Sequence, residues 1–329
     1  QLPLIFPLLI ALFSGAVFSF ALAPYYWWWL AILSPALLYA TLHNRSAKQA
    51  FAIGWSYGFS LWFVGAFWLY TSIHVYGDTN DFLSVCMIAV MALVMGLFTA
   101  FQTWIYRRFF PETPLTFAPL WIVFEWAKTW VFTGFPWLFV GYAFTERLLD
   151  GYAPLFGIYA ISFVVIVLAC ALVEVLRKRI FWVIPAALLV LGAWGASYIQ
   201  FVQPKATKPL SVSLIQGNIP QDLKWLTEYQ VRTLEIYAGL TQSEWGRDLI
   251  VWPESSIPLF QTDIEPFLDA MDAQAKKNHT AWVTGIPYWD VAKSHQVGSP
   301  LYYNSIMASG SDSSGLYKKQ RLVPFGEYI

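Results

Sequence analysis

Two stretches late in the sequence hold residues that could do chemistry together. The first is Leu249-Ile250-Val251-Trp252-Pro253-Glu254-Ser255. Leu249 to Trp252 reads as a short buried strand, and Pro253 ends it because proline cannot donate to a ladder. Glu254 is thereby set at the strand's carboxyl end, where open α/β sheets gather their reactive groups. An acid in an ordinary strand-end turn is the plain alternative. The second stretch, Leu316 to Glu327, carries Lys318-Lys319-Gln320-Arg321. Alone this cluster is a solvated turn. It runs, however, into apolar Leu322-Val323 and a Pro-Phe-Gly-Glu turn suited to packing inward, so one of its lysines could reach the strand end bearing Glu254. A carboxylate there could take a proton from a nucleophile, and an ammonium could stabilise an oxyanion.

The elements needed to bring these groups together are legible around them. A polar, proline-punctuated linker, Gln203 to Pro209, opens the region. Ser211–Ile215, Leu249–Trp252, Ala281–Ile286 and Tyr302–Ala308 read as strands, the last two separated by a polar loop with His295, Gly298 and Pro300. A helix falls within Leu226–Trp245. Ile264, Phe267, Leu268, Met271 and Ala275 recur at helical spacing and give a second, amphipathic one. Strands alternating with helices indicate a layered α/β domain over residues 203–329.

Residues 1–202 are different. The 329-residue chain is 57% hydrophobic and only 12% charged, where a soluble domain carries about 25% charged residues. Zero net charge without a basic block argues against a nucleic-acid partner. Cys86 and Cys170 sit in apolar runs, too isolated for a disulfide framework or a zinc site. Seven apolar stretches, roughly 3–22, 26–42, 50–73, 82–105, 115–132, 155–175 and 180–199, approach the ~20 residues a spanning helix needs. Arg45 and Lys48, Arg107 and Arg108, and Arg177-Lys178-Arg179 follow alternate stretches. Basic loops stay cytoplasmic, so the N-terminus is expected inside and residues after 200 outside.

Polar exceptions within this apolar half are the informative ones. Gly54 and Gly58 form a small-xxx-small pair, most simply a helix-packing seam. Glu125 and Lys128, spaced i,i+3, share a helix face and can neutralise each other. They fit either a polar cavity receiving a lipid headgroup or a structural ion pair. The segment Thr133 to Tyr142, with Phe135-Pro136-Trp137, is too apolar for a solvated loop and too broken for a span. It suits a lipid-access floor at the interface, or a re-entrant packing segment.

Taken together, Trp-Pro-Glu-Ser at 252–255, Tyr-x-Lys-x-x-Leu-Val-Pro-Phe-Gly-Glu at 317–327, Gln-Gly-Asn-Ile-Pro-Gln-x-Leu-Lys-Trp at 216–225 and Gly-Phe-Pro-Trp at 134–137 resemble the apolipoprotein N-acyltransferase family. The likeness covers essentially the whole chain. It implies a multi-span α-helical membrane domain joined to a periplasmic nitrilase-like domain, an αββα sandwich, here incomplete. It further implies a Glu-Lys-Cys triad in which Glu254 is the general base and Lys319 the catalytic lysine. Glu327 matches a second required glutamate, which could orient Lys319 or help activate the incoming amine, and Trp225 an active-site tryptophan. Phe135, Pro136, Trp137, Glu125 and Lys128 are then expected on the substrate side. The family's nucleophilic cysteine has no counterpart here, so the sequence reads as a C-terminally truncated, inactive copy. The implied reaction moves an acyl chain from a phospholipid such as phosphatidylethanolamine, through a thioester, to the α-amine of a diacylglyceryl-cysteine apolipoprotein. A partly desolvated pocket around Glu254 would assist. No metal or organic cofactor is implied, and the expected setting is a monomer in the bacterial inner membrane. A membrane-anchored nitrilase-like amidase acting on a small amide is the rival enzyme.

Overall fold

A computed structural model describes residues 3–204, 209–312 and 314–323. The chain separates into two compact units, Gln1–Gln203 and Pro204–Ile329.

The first unit is helical. Its elements are α1 (Ile5–Phe18), α2 (Leu30–Thr41), α3 (Ala47–Gly65), α4 (Leu69–Thr71) continued by a π-helical turn to Tyr76, α5 (Asp81–Phe109), α6 (Pro114–Ala127), α7 (Ala153–Leu176) and α8 (Val183–Ala196). Local chemistry fixes several ends. Ser46 and Gln49 form a reciprocal capping box at the start of α3. Asn80 caps α5, whose first turn carries Asp81 and whose last carries Arg107 and Arg108, in accord with the helix dipole.

Helices lie on all seven apolar stretches, though they differ in length. Among the described residues, Asp81–Phe109 and Leu148–Leu176 are long and apolar enough to cross a bilayer, with a third if α3 and Leu69–Tyr76, bent by 59°, count as one span. The reason lies in how the runs break. The first stretch tightens into a 3-10 turn at Ser19–Ala21, and the second starts its helix only at Leu30, after the aromatic run Tyr25–Trp29. A 12-residue α2 rises about 18 Å, short of a hydrocarbon core of about 30 Å.

The seam between α3 and α5 is built on glycine, as the small-xxx-small spacing suggests. A methyl on Gly58 would lie 2.7 Å from Gly96 Cα, and one on Gly54 2.6 Å from the Thr99 carbonyl oxygen. The backbones therefore meet directly at Gly58, while at Gly54 the Thr103 side chain also packs in.

The second unit is a mixed sheet with helices. Its strands are β1 (Val212–Leu214), β2 (Leu249–Val251), β3 (Ala281–Trp289), β4 (Tyr302–Gly310) and β5 (Gly315–Lys318), with α9 (Thr227–Thr241), α10 (Glu265–Lys277) and α11 (Val291–Val297) between them. Strand order follows the chain; β1, β2 and β3 run parallel, and β4 and β5 add antiparallel. Ile250, Trp252, Ile257, Trp282, Ile286, Met271 and Ala275 form the core.

Two local expectations change. The polar loop after β3 contains α11, capped by Asp290 and ended by left-handed Gly298. The basic cluster begins inside a strand, since Ile306 pairs with Tyr317 and Ser305 with Lys318, so the solvated-turn alternative does not hold for Lys318. Among the described residues this unit has one sheet, where a two-sheet sandwich was expected.

Candidate active site

The strand end carrying Glu254 is fixed on three sides. Trp252 donates its backbone N–H to Val283 (2.8 Å), while its buried indole bonds Thr241 Oγ1 (2.9 Å) and packs on Tyr237 and Trp282. Pro253 then turns the chain out of the sheet. Past the turn, buried Ser256 pairs its hydroxyl with Thr284 Oγ1 (2.9 Å) and donates to the Gly285 carbonyl (3.1 Å). Gly285 is what lets the turn sit so close. Its N–H reaches the Pro253 carbonyl at 3.3 Å, and a methyl there would fall 2.5 Å from Ser255 N and 2.7 Å from Glu254 Cα. Ser255 itself takes φ 51°, a conformation costly outside glycine, Asn and Asp. Glu254 is thus presented by a turn over-determined at both ends.

Strands β4 and β5 bring the partners. Lys319 Nζ donates to Glu254 Oε1 at 3.1 Å, across 65 positions of sequence. Asn304 Nδ2 donates to the same oxygen at 2.7 Å, and the Asn304 carbonyl accepts the Lys319 backbone N–H at 2.8 Å. Strand alternation sends the neighbouring Lys318 the other way. Its ammonium bonds Asp290 Oδ2 at 2.6 Å and lies 4.8 and 4.7 Å over the rings of Tyr288 and Tyr303. That hydrogen bond to Asp290 holds the Lys318 ammonium above the ordinary lysine range, and anchors β5 so that Lys319 is aimed at Glu254.

The expected desolvated pocket is not what surrounds the carboxylate. The Glu254 side chain is 64% exposed and Lys319 28%, because Pro253 carries the turn beyond the sheet edge instead of into the core. A second cation contributes: burial lowers the Lys224 ammonium from its ordinary range, and the Glu254 charge opposes that shift. Lys224 lies 5.7 Å over the ring of Trp225, which is itself exposed. Glu327 lies outside the described residues.

The remaining candidates belong to the helical unit. After α6 the chain reverses at Gly134, φ 95°, and Phe135 N–H bonds the Lys128 carbonyl at 2.7 Å. Phe135 packs 5.0 Å from Trp62, and half-exposed Trp137 lies 5.6 Å from Trp68. Leu138, Phe139 and Val140 turn inward and are buried. Glu125 is buried, and its Oε1 accepts from Trp121 Nε1 and Val140 N, both at 3.0 Å. Among the described residues no ion pair joins Glu125 to Lys128; the ammonium lies instead over Phe139 (5.0 Å) and Trp62 (5.9 Å). Both line a cavity of about 10 Å³. That is room for about one water, and the two side chains are not joined by a direct ion pair among the described residues.

Asn304 and Gly285 were not singled out from the sequence. A lone amide in apolar Tyr302-Tyr303-Asn304-Ser305-Ile306 is a faint signal for the first. A strand-interior glycine, which marks close backbone approach, is a clearer one for the second.

Residues 14–171 match a family profile described as the apolipoprotein N-acyltransferase N-terminal domain, and residues 211–329 match carbon-nitrogen hydrolase. The chain is similar to an apolipoprotein N-acyltransferase of Coxiella burnetii, 38% identical over 97% of this chain and 66% of the relative. Those of Vibrio parahaemolyticus (36%, 98% and 65%) and Azotobacter vinelandii (38%, 98% and 64%) are similar too. The chain therefore spans just under two thirds of the length of these relatives. Two profiles in this order, and relatives matched from end to end of the chain, show that it belongs to the apolipoprotein N-acyltransferase family.

Proposed function

We propose that this chain supplies the membrane unit and the acid–base half of a phospholipid-dependent N-acyltransferase. The observation that carries the reading is the convergence of Lys319 and Asn304 on Glu254 Oε1, at 3.1 and 2.7 Å. In this reading Glu254 takes the proton of a thiol as it attacks a phospholipid ester. Lys319, with backbone N–H groups, stabilises the tetrahedral oxyanion, and protonated Glu254 passes the thiol's proton to the departing glycerol oxygen, leaving a thioester and a lysophospholipid. The α-amine of a diacylglyceryl-cysteine then attacks the thioester, gives up a proton to Glu254, and Glu254 passes that proton to the departing sulfur. Glu327 orients Lys319 or helps deprotonate the amine, and Trp225 lines the acyl site. Phe135, Pro136 and Trp137 form the lipid-facing floor, with Glu125 and Lys128 behind it.

The setting we propose is a bacterial inner membrane, with residues after 200 on the periplasmic side and the protein acting as a monomer. Two tethered lipid substrates call for a site at the leaflet surface, which explains fusion of the sheet unit to apolar helices. Cys86 and Cys170 both lie in residues 1–203, and residues 204–329 contain no cysteine. Cys86 lies in α5 and Cys170 in α7, both apolar helices long enough to cross a bilayer, and Cys170 is fully buried. We therefore assign the nucleophile to neither, and expect these 329 residues alone to be inactive.

The test compares this chain with the same chain joined to the final third of a relative, using phosphatidylethanolamine and a diacylglyceryl-cysteine peptide. Only the joined protein should add one acyl chain to the peptide amine and release lysophospholipid. Turnover by the chain alone would overturn the nucleophile assignment. Hydrolysis of small soluble amides without lipid would favour the amidase instead.

A further inference from the structure

We propose that the cavity behind the aromatic loop is a built hydration site, in which one water joins Glu125 Oε2 on α6 to Gln102 Nε2 on α5. Two independent observations meet here. Glu125 Oε2 and Gln102 Nε2 are both buried without a hydrogen-bond partner among the described residues, in side chains only 1% and 4% exposed. Both residues line the same cavity of about 10 Å³, which is the space one water occupies.

The chemistry selects water over other occupants. An ionised carboxylate only accepts and an amide NH₂ only donates, so the bridging group must accept from Gln102 and donate to Glu125. Lys128 also lines the space, and its ammonium can donate to the same oxygen, making the water a spacer between two charges that do not touch. A metal cation would face an ammonium and an amide N–H, and an organic ligand would not fit. Rotating the Gln102 amide would turn its carbonyl towards the carboxylate, which is worse.

The site has a structural consequence. Glu125 Oε1 is already committed to Trp121 and to the Val140 N–H. Fixing Oε2 from the α5 side locks the carboxylate in the rotamer that holds the Leu138–Val140 limb of the loop. Glu125 is thus a positioning residue for that loop, whatever chemistry the protein performs.

The test is a structure of this chain in lipid nanodiscs at a resolution that shows ordered water, paired with amide hydrogen exchange. Wild-type density should hold a single peak within about 2.7–3.2 Å of both atoms, absent in Gln102→Leu. Exchange at Val140 should quicken by at least ~10-fold in Glu125→Ala and much less in Glu125→Gln, whose amide oxygen can still accept. An empty wild-type cavity, or the two side chains turned onto protein partners, would overturn the site, as would elongated density. Equal exchange in the two Glu125 variants would remove the positioning role. If Gln102→Leu does not fold, Gln102→Met and the wild-type density decide the matter.

Discussion

Glu174 in the helical unit and Glu254 in the sheet unit are both carboxylates at the end of an apolar run, and they are held in opposite ways. Glu174 is 0% exposed and takes Tyr39 and Arg177 on Oε1 (3.0 and 2.9 Å) and Arg179 on Oε2 (3.1 Å). Glu254 is 64% exposed, and its two donors both reach Oε1. The difference separates structure from chemistry. A carboxylate buried in apolar surroundings must have each oxygen compensated, which leaves it nothing to react with. One raised on a strained turn beyond a sheet edge can be oriented through one oxygen while the other meets a substrate.

The comparison breaks most visibly at Glu174. Glu174→Ala should destabilise the helical unit by about 3 kcal/mol, the lower end for a broken buried pair because half-exposed Arg179 can turn to solvent. Thermal unfolding in detergent measures this. A loss within the range of a surface substitution would show that the burial carries no such penalty.

Next comes Glu254→Gln, which keeps shape and removes basicity. In the chain joined to a relative's final third, acyl transfer should fall by at least ~100-fold, equivalent to about 2.7 kcal/mol of barrier. Stability should stay within about 0.5 kcal/mol. Near-normal transfer, or unfolding of the sheet unit, would erase the contrast with Glu174.

How far the sequence foretold this depends on the kind of signal each residue sends. Glu254 was legible because Pro253 ends a strand, and a lysine partner because the basic cluster leads into apolar residues; the choice of Lys319 came only from the family resemblance. β5 was harder: Gly315-Leu316-Tyr317-Lys318 is too short to show a strand's alternation, and only pairing with β4 makes it a strand. Helix positions in residues 1–202 followed from hydropathy, whereas helix lengths did not. Length is decided by where each helix starts and stops, as at the 3-10 turn Ser19–Ala21 and at Leu30, and a window average cannot see those breaks. Glu125 and Lys128 show a further limit. Their i,i+3 spacing says they share a face, yet the ammonium prefers two aromatic rings contributed by α3 and the loop. No local rule contains partners from that far away in sequence.

Gly285→Ala sharpens the comparison from the backbone side. A methyl 2.5 Å from Ser255 N must push the turn off β3, at about 1–3 kcal/mol. Glu254 would then drift from Lys319 while its own chemistry stays intact. The expected pattern is moderate destabilisation together with loss of the Glu254 contact to Lys319 in a structure of the variant. A variant that keeps both the turn and the contact would mean the turn is not held by close approach to Gly285.

The smallest effect concerns carboxylates of the sheet unit that are paired yet remain near water. Asp272 bonds Lys276 Nζ at 2.6 Å and also accepts from Ser309 Oγ and the Gly310 N–H. The Lys276 hydrogen bond, then that from Ser309, holds its carboxyl below the ordinary value of 3.8. A depressed folded value means the unfolded chain takes up the proton first as pH falls. The stabilisation is therefore complete above pH 3.8 and is lost as pH drops through that value towards the lower, folded one. Its size should be about 1 kcal/mol or less, as for other partly solvated pairs. Urea midpoints of wild type and Asp272→Asn should converge on acidification below pH 3.8 and stay apart at neutral pH. Midpoints that diverge on acidification would reverse the sign of the linkage, and would show that the Lys276 and Ser309 hydrogen bonds do not favour the charged form of Asp272.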